Sequence, residues 1–174
     1  MKVFAIALSL VAVGVTSTYA YDFKGVELGA PATPEQLQSK LNIKCGAGGG
    51  SRKAQICNGH VTIAEESADL NLVIGESGIV ERMWFKGLRP ESFTYVAPQL
   101  INKFGKPTKI EQGVIQNRMG ASFEQVEYTW IDKNGNMVYY SKYAGSTNSS
   151  YLRFDTKADR DFLESLNNGR AKDI

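Results

Sequence analysis

The chain has 174 residues, a formal net charge of +2, and 43% hydrophobic against 22% charged residues. That balance belongs to a globular protein and excludes a disordered one. The near-equality of acidic and basic groups leaves no electrostatic footprint for nucleic acid.

Met1 to Ala20 reads as a secretory signal. Lys2 supplies the positive start, Val3 to Val15 is apolar except for Ser9 and Gly14, and Thr18 and Ala20 place small residues before a cleavage point. The apolar run falls short of the ~20 residues that span a bilayer, and no later segment approaches that length. The expected product is a soluble protein of 154 residues and net charge +1, in a periplasm or outside the cell. Cys45 and Cys57 are the only cysteines, and an oxidising compartment favours a disulfide between them.

In chain order, the first element is a helix over Pro34 to Leu41, with Thr33 as N-cap, Pro34 in the first turn and Gln36 closing a capping box. Val61 and Ile63 suggest a short strand. Leu70, Leu72 and Ile74, then Ile79, Glu81, Met83 and Phe85, alternate about a turn at Gly75 to Gly78, which predicts a β-hairpin. Phe93, Val96, Leu100 and Phe104 recur at helical spacing, so a second helix covers Ser92 to Phe104 and ends at Gly105; Pro98 is its weak point. Strands follow over Lys109 to Gln116, Val126 to Ile131, Met137 to Tyr143 and Ser150 to Phe154, with Asn134-Gly135 as a hairpin turn. A last helix spans Ala158 to Leu166.

A faint repeat runs through this order. Phe23-Lys24-Gly25-Val26 recurs 62 positions later as Phe85-Lys86-Gly87-Leu88, and Gln36-Leu37 with Lys40-Leu41 recurs 63 positions later as Gln99-Leu100 with Lys103-Phe104. Two copies of one helix-plus-sheet unit are expected, over residues 21–88 and 89–174. The fold class is α+β: tandem units of antiparallel sheet with the helices packed on one face.

The residues that carry chemistry form no recognised catalytic set. His60 is the only histidine, and an oxidised Cys57 is no nucleophile. Cys45, Cys57 and His60 are too few for a metal site. The run Gly46-Ala47-Gly48-Gly49-Gly50-Ser51-Arg52-Lys53 lacks the Gly-Lys-Ser/Thr ending of a phosphate loop, although Arg52 and Lys53 offer positive charge to an anion. Asp132, Asn134 and Asn136 resemble the start of a calcium loop, but the glycine is misplaced and no closing glutamate follows; a hairpin turn accounts for them. Glu65, Glu66 and Asp69 read as a solvated strand end rather than a glycosidase pair, because adjacent carboxylates on a strand point to opposite faces. No cofactor motif appears. Asn148-Ser149-Ser150 is a glycosylation acceptor only in a eukaryotic secretory route.

What remains is an aromatic face. With Leu70, Leu72, Met83 and Phe85 turned to the core, the opposite face of the first hairpin carries Arg82 and Trp84. With Val126, Tyr128, Trp130, Leu152 and Phe154 inward, the second half exposes Glu127, Thr129, Tyr151 and Arg153, and Tyr139 and Tyr143 if Val138 and Tyr140 point in. Tyrosine, tryptophan and arginine on an uncovered sheet are the material of binding hot spots. The candidate partner-binding set is therefore Arg82, Trp84, Tyr139, Tyr143, Tyr151 and Arg153.

The Cys45 to Cys57 glycine-rich segment followed by Gly59-His60, with the two Phe-Lys-Gly entries, resembles the secreted β-lactamase-inhibitor-protein family. More broadly it is similar to small exported bacterial modules, including outer-membrane assembly lipoproteins of related topology. The resemblance implies two tandem modules with aligned sheets, whose concave surface grips an enzyme. No cysteine follows Cys57, so the second disulfide of that family has no counterpart, and none of its contact residues carries over. The expectation is an exported, non-enzymatic module for a protein partner, with no nucleic acid and no membrane span. The rivals are a small cell-wall-active hydrolase and a structural envelope component.

Overall fold

The computed structural model describes residues 21–48 and 53–171. The expected leader, Met1 to Ala20, lies outside the described residues, as does Gly49 to Arg52 of the glycine run. Two short strands, β1 (Asp22–Phe23) and β2 (Val26–Glu27), pair with each other at the start. Helix α1 (Pro34–Leu41) leads into β3 (Lys44–Ala47), β4 (Gln55–Ile63), β5 (Glu66–Ile74) and β6 (Val80–Lys86). Helix α2 (Phe93–Phe104) leads into β7 (Lys109–Gln116), β8 (Ser122–Ile131), β9 (Met137–Ser141) and β10 (Tyr151–Asp155). Helix α3 (Lys157–Ala171) follows. Strands β3 to β10 make one eight-stranded antiparallel sheet in the order β3-β4-β5-β6-β10-β9-β8-β7. Each meander contributes its last strand to the centre, where Phe85 faces Leu152 and Met83 faces Phe154.

The local signals act where the sequence places them. The Thr33 hydroxyl accepts from the Gln36 amide and the Gln36 side chain accepts from the Thr33 amide, closing the capping box. Helix α2 continues through Pro98, which lies on its exposed side together with Thr94, the residue whose carbonyl a proline at this position cannot pair. A 3₁₀ turn at Pro90–Ser92 precedes it. Arg89 and the Tyr95 hydroxyl both donate to Glu66, tying the start of α2 to β5. Those hydrogen bonds hold the Glu66 carboxyl below its usual pKa.

Helices α1 and α2 cover one face of the sheet. Leu37 and Leu41 of α1 and Val96 and Leu100 of α2 join Leu70, Met83, Phe85, Val138 and Phe154 in a single buried cluster. The Phe93 ring stacks on Tyr140 with centroids 4.7 Å apart, and Phe104 meets Trp130 edge-on at 6.4 Å.

Helix α3 departs from the expected single layer of helices. Arg82 alternates with Met83 and so projects from the opposite face, and its guanidinium pairs with Asp159 in the first turn of α3. The chain turns over that face as soon as β10 ends. The Thr156 amide donates to the Glu81 carbonyl, and the Thr156 hydroxyl accepts from the Asp159 amide. Fixed in this way, α3 starts above β6 and β10 on the side away from α1 and α2.

The disulfide joins Cys45 of β3 to Cys57 of β4, residues directly opposite each other in the register. Gly46, at the start of the glycine run, belongs to β3, because the bridge and the β4 pairing hold it extended. Gly59 is required on β4: a Cβ there would lie 2.6 Å from Ile43 Cγ2 and 3.1 Å from its Cα. Removing the bridge with Cys45→Ser and Cys57→Ser together should lower stability by about 3 kcal/mol, the entropy of a loop of this size. Denaturant unfolding measures this as a lower midpoint, with a slope no smaller than that of wild type, because the unbridged denatured chain is less compact. An unchanged midpoint would show that the β3–β4 pairing needs no covalent support.

No helix among the described residues is long and apolar enough to cross a membrane.

A candidate binding face on the sheet

The outer face of the sheet receives the side chains that alternate with the core. Register places Arg153 between Trp84 on β6 and Tyr139 on β9, so these three form one cross-strand row. In an adjacent row, Tyr151 faces Ser141, which faces Glu127 of β8. Tyr143 lies just past β9, and its ring meets Phe123 edge-on at 5.8 Å. All six expected residues therefore belong to one face, but the face has two different halves.

At the half near α3, charge is consumed internally. Arg82 donates through Nε and a terminal nitrogen to the two carboxylate oxygens of Asp159, at 2.7 and 2.8 Å. Asp155, fully buried, lies 3.7 Å from Arg82 Nε and accepts from Arg153 Nε at 2.5 Å. Arg82 retains only 19% side-chain exposure and Arg153 only 28%. Arg82, expected to be offered to a partner, instead anchors α3. The physical reason is that Asp155 and Asp159 come to the same side of the sheet once the chain turns at Thr156. The Arg82 guanidinium also lies 5.7 Å from the Trp84 ring centroid, within cation–π reach. Burial opposes the charge on Arg153, but Asp155 and the Tyr151 hydroxyl outweigh it and raise its pKa.

The other half is a groove of about 1060 Å³. Tyr139, Tyr143 and Tyr151 line it, above Gln125, Glu127 and Ser141. One wall is the Asn117–Met119 turn between β7 and β8, and the other is the 144–148 loop after β9. The floor is held rigidly. Gln125 Nε2 lies 2.9 Å from each of three acceptors, the Glu127 carboxylate, the Ser141 hydroxyl and the Tyr143 carbonyl, among which its two N–H groups are shared. Gln125 Oε1 accepts from the Tyr143 amide at 3.0 Å, and the Ser141 hydroxyl donates to the Tyr143 carbonyl at 2.7 Å. One amide side chain thus substitutes for the missing continuation of β9 and fixes where the Tyr143 ring points. Burial pushes the Tyr139 phenol up to about 12, offset in part by the Ser141 hydroxyl and reinforced by the Glu127 carboxylate. It is therefore a neutral hydroxyl at physiological pH.

Glu127 belongs to the face that alternation along the strand turns outward; Gln125 and Ser141 are the groove residues that sequence reasoning missed. Their only trace is polar alternation along β8, where Gln125, Glu127 and Thr129 interleave with Val126, Tyr128 and Trp130. The walls leave no trace, because turns become walls only through the sheet that supports them.

The other sequence candidates lie elsewhere. His60 is on β4, its side chain 85% exposed, with Nδ1 2.6 Å from Asp69 on β5. The Asp132 carboxylate accepts from the Asn134 and Asn136 amides and from the Asn136 side chain, so it serves the β8–β9 turn. Glu65 occupies the β4–β5 turn at φ 69°. Lys53 lies 3.9 Å from Glu76, and Arg52 is outside the described residues. Comparison of the chain with protein-family models, curated proteins and solved structures finds no match.

Proposed function

We propose that the protein is an exported, non-enzymatic binding module that seats a segment of a protein partner in the tyrosine-lined groove of its sheet face, as an enzyme inhibitor or an accessory of the cell envelope. The observation that carries this reading is the convergence of Tyr139, Tyr143 and Tyr151 on one groove with a hydrogen-bonded floor. Rigid aromatic side chains bind at low entropic cost, and a floor already ordered loses little more on association. The groove's volume of about 1060 Å³ lies just above the ~300–1,000 Å³ typical of small-ligand sites, which suits the side chains of a docking loop. The disulfide is compatible with an exported protein. Both cysteines are bridged and His60 sits on β4, away from the groove strands β8 and β9, so neither supplies a nucleophile or base there.

The finer architecture belongs to the same reading. The two runs of helix and four-stranded meander are two copies of one unit, as the resemblance to the β-lactamase-inhibitor-protein family implies. The Phe-Lys-Gly entries before α1 and α2 support it.

Affinity capture from envelope extract, comparing wild type with Tyr143→Ala and Tyr151→Ala, tests the site. Each substitution should weaken the captured complex about 30-fold, the effect of a hot spot worth ~2 kcal/mol. Their thermal unfolding should stay close to wild type. A partner retained equally by both variants would place the binding surface elsewhere. Turnover of a substrate abolished by a single Glu127→Gln change would make the groove a catalytic cleft instead.

A further inference from the structure

We propose that the open edge of the sheet at β7 pairs with β7 of a second copy of this chain, antiparallel and centred on Gln112, to join two sheets into one. The inference does not depend on the groove reading.

The two edges of the sheet differ. β3 has only four residues and is stapled to its neighbour by the disulfide. β7 has eight residues and contains no proline. Its far side pairs with nothing among the described residues. Every second residue of such a strand directs its N–H and C=O outward, a template for another strand. Edges are usually blunted by brevity, proline, bulges or charge. On β7 the charges are confined to Lys109 and Glu111, which satisfy each other at 2.8 Å. Ile110 and Val114 remain 47% and 71% exposed. Both stand on the face of Tyr128 and Val126, beyond the cover that α2 provides, as does Gln112 between them.

The register follows from symmetry. A two-fold axis perpendicular to a continuous sheet puts residues of the same face opposite each other, so one residue must face its own copy. With Glu111 on the axis, two carboxylates meet, which is destabilising. With Ile110 on the axis, only the first three residues of β7 find partners within the strand. With Gly113 on the axis, Val114 meets the partner's Gln112 and nothing apolar is matched. With Gln112 on the axis, Ile110 meets the partner's Val114 twice over, Glu111 meets the partner's Gly113, and Lys109 meets the partner's Ile115. Only that register covers both exposed β-branched side chains, and it sets no like charges directly opposite each other; the two Glu111 side chains are diagonal neighbours, each paired with Lys109 of its own strand at 2.8 Å. The occupant argued from this self-complementarity is therefore the chain itself.

Sedimentation of the full chain across a concentration series should show reversible dimers for the wild type. Val114→Lys should be monomeric, since the exposed position tolerates the lysine while pairing does not. Gln112→Cys tests the register: with Cys45 and Cys57 bridged, it carries the one free thiol among the described residues. It should cross-link to its own copy on mild oxidation, because directly opposed strand residues lie within disulfide reach. Gly113→Cys has open space around its Cβ and should not cross-link, being offset along the strand. Four results overturn the proposal: a wild-type monomer at the highest soluble concentration, a dimer indifferent to Val114→Lys, equal cross-linking at positions 112 and 113, or a monomer that adds another protein's extended segment at β7.

Discussion

Asp159→Ala should destabilise the protein by about 3 kcal/mol, the lower end of the range for breaking a buried ion pair. The lower end applies because Arg82 keeps 19% of its side chain exposed and water recovers part of the charge. The loss has two parts. Arg82 forfeits a two-point hydrogen bond at 2.7 and 2.8 Å, and α3 loses its attachment at the first turn. Arg82→Met combined with Asp159→Leu should recover most of the loss, since replacing both charges leaves neither stranded. Asp155→Asn should behave differently. Burial raises the Asp155 pKa above 3.8, against the pull of Arg153 and Arg82. A raised value means that the folded protein holds this proton more tightly than the unfolded chain does. The resulting stability is fully present below the unfolded pKa and is lost as pH rises through the folded one. Asparagine carries no such loss, so Asp155→Asn should gain on wild type between about pH 4 and about pH 7. Denaturant unfolding at both pH values measures this. A gap between variant and wild type that moves the other way would mean that the arginines, not burial, dominate Asp155.

Phe85→Ala should cost about 3–5 kcal/mol, the usual effect of emptying a buried aromatic site. Phe85 is fully buried at the central β6–β10 seam. Its ring meets Phe23 at 4.8 Å and Phe154 at 5.8 Å, edge-on in each case. Leu70 and Leu152 lie opposite it on either side. Those neighbours belong to β strands held in register by the sheet, so they cannot collapse into the void, and the cavity persists. The melting temperature should fall by about 10 °C on the scale of ~2–4 °C per kcal/mol for a chain of this size. The transition should stay single, because one hydrophobic cluster runs from Leu37 in α1 to Trp130 in β8. Calorimetry that resolved two transitions would show that the halves unfold separately.

Much of the fold was legible locally. The α1 boundaries, the capping box, the Met83 and Phe85 side of the β5–β6 hairpin and the β7 span follow from patterns that lie within a few residues of each other, whereas a register shift between Val73 and Ile74 puts Val80 rather than Ile79 and Glu81 into the core. Where reading failed, distant residues decided. β3 contains Gly46, a poor strand residue, and exists because Cys57 lies opposite Cys45. Arg82 is a surface residue by alternation and an internal anchor by virtue of Asp159, 77 positions away. The groove had three legible tyrosines and an illegible floor: Gln125 reaches the Tyr143 carbonyl across 18 positions.

The sequence by itself determined most of the residues that turn inward, because alternation and helical spacing are properties of neighbouring positions. It also determined the α+β class, because caps and turns mark the ends of elements one at a time. Only the tertiary structure decided that the two meanders share a central seam and that α3 crosses to the far face. It also decided that half of the aromatic face is spent on holding α3 while the other half lines a groove. Each of those outcomes depends on pairing between residues far apart in the chain, and such pairing leaves no periodic mark on either partner.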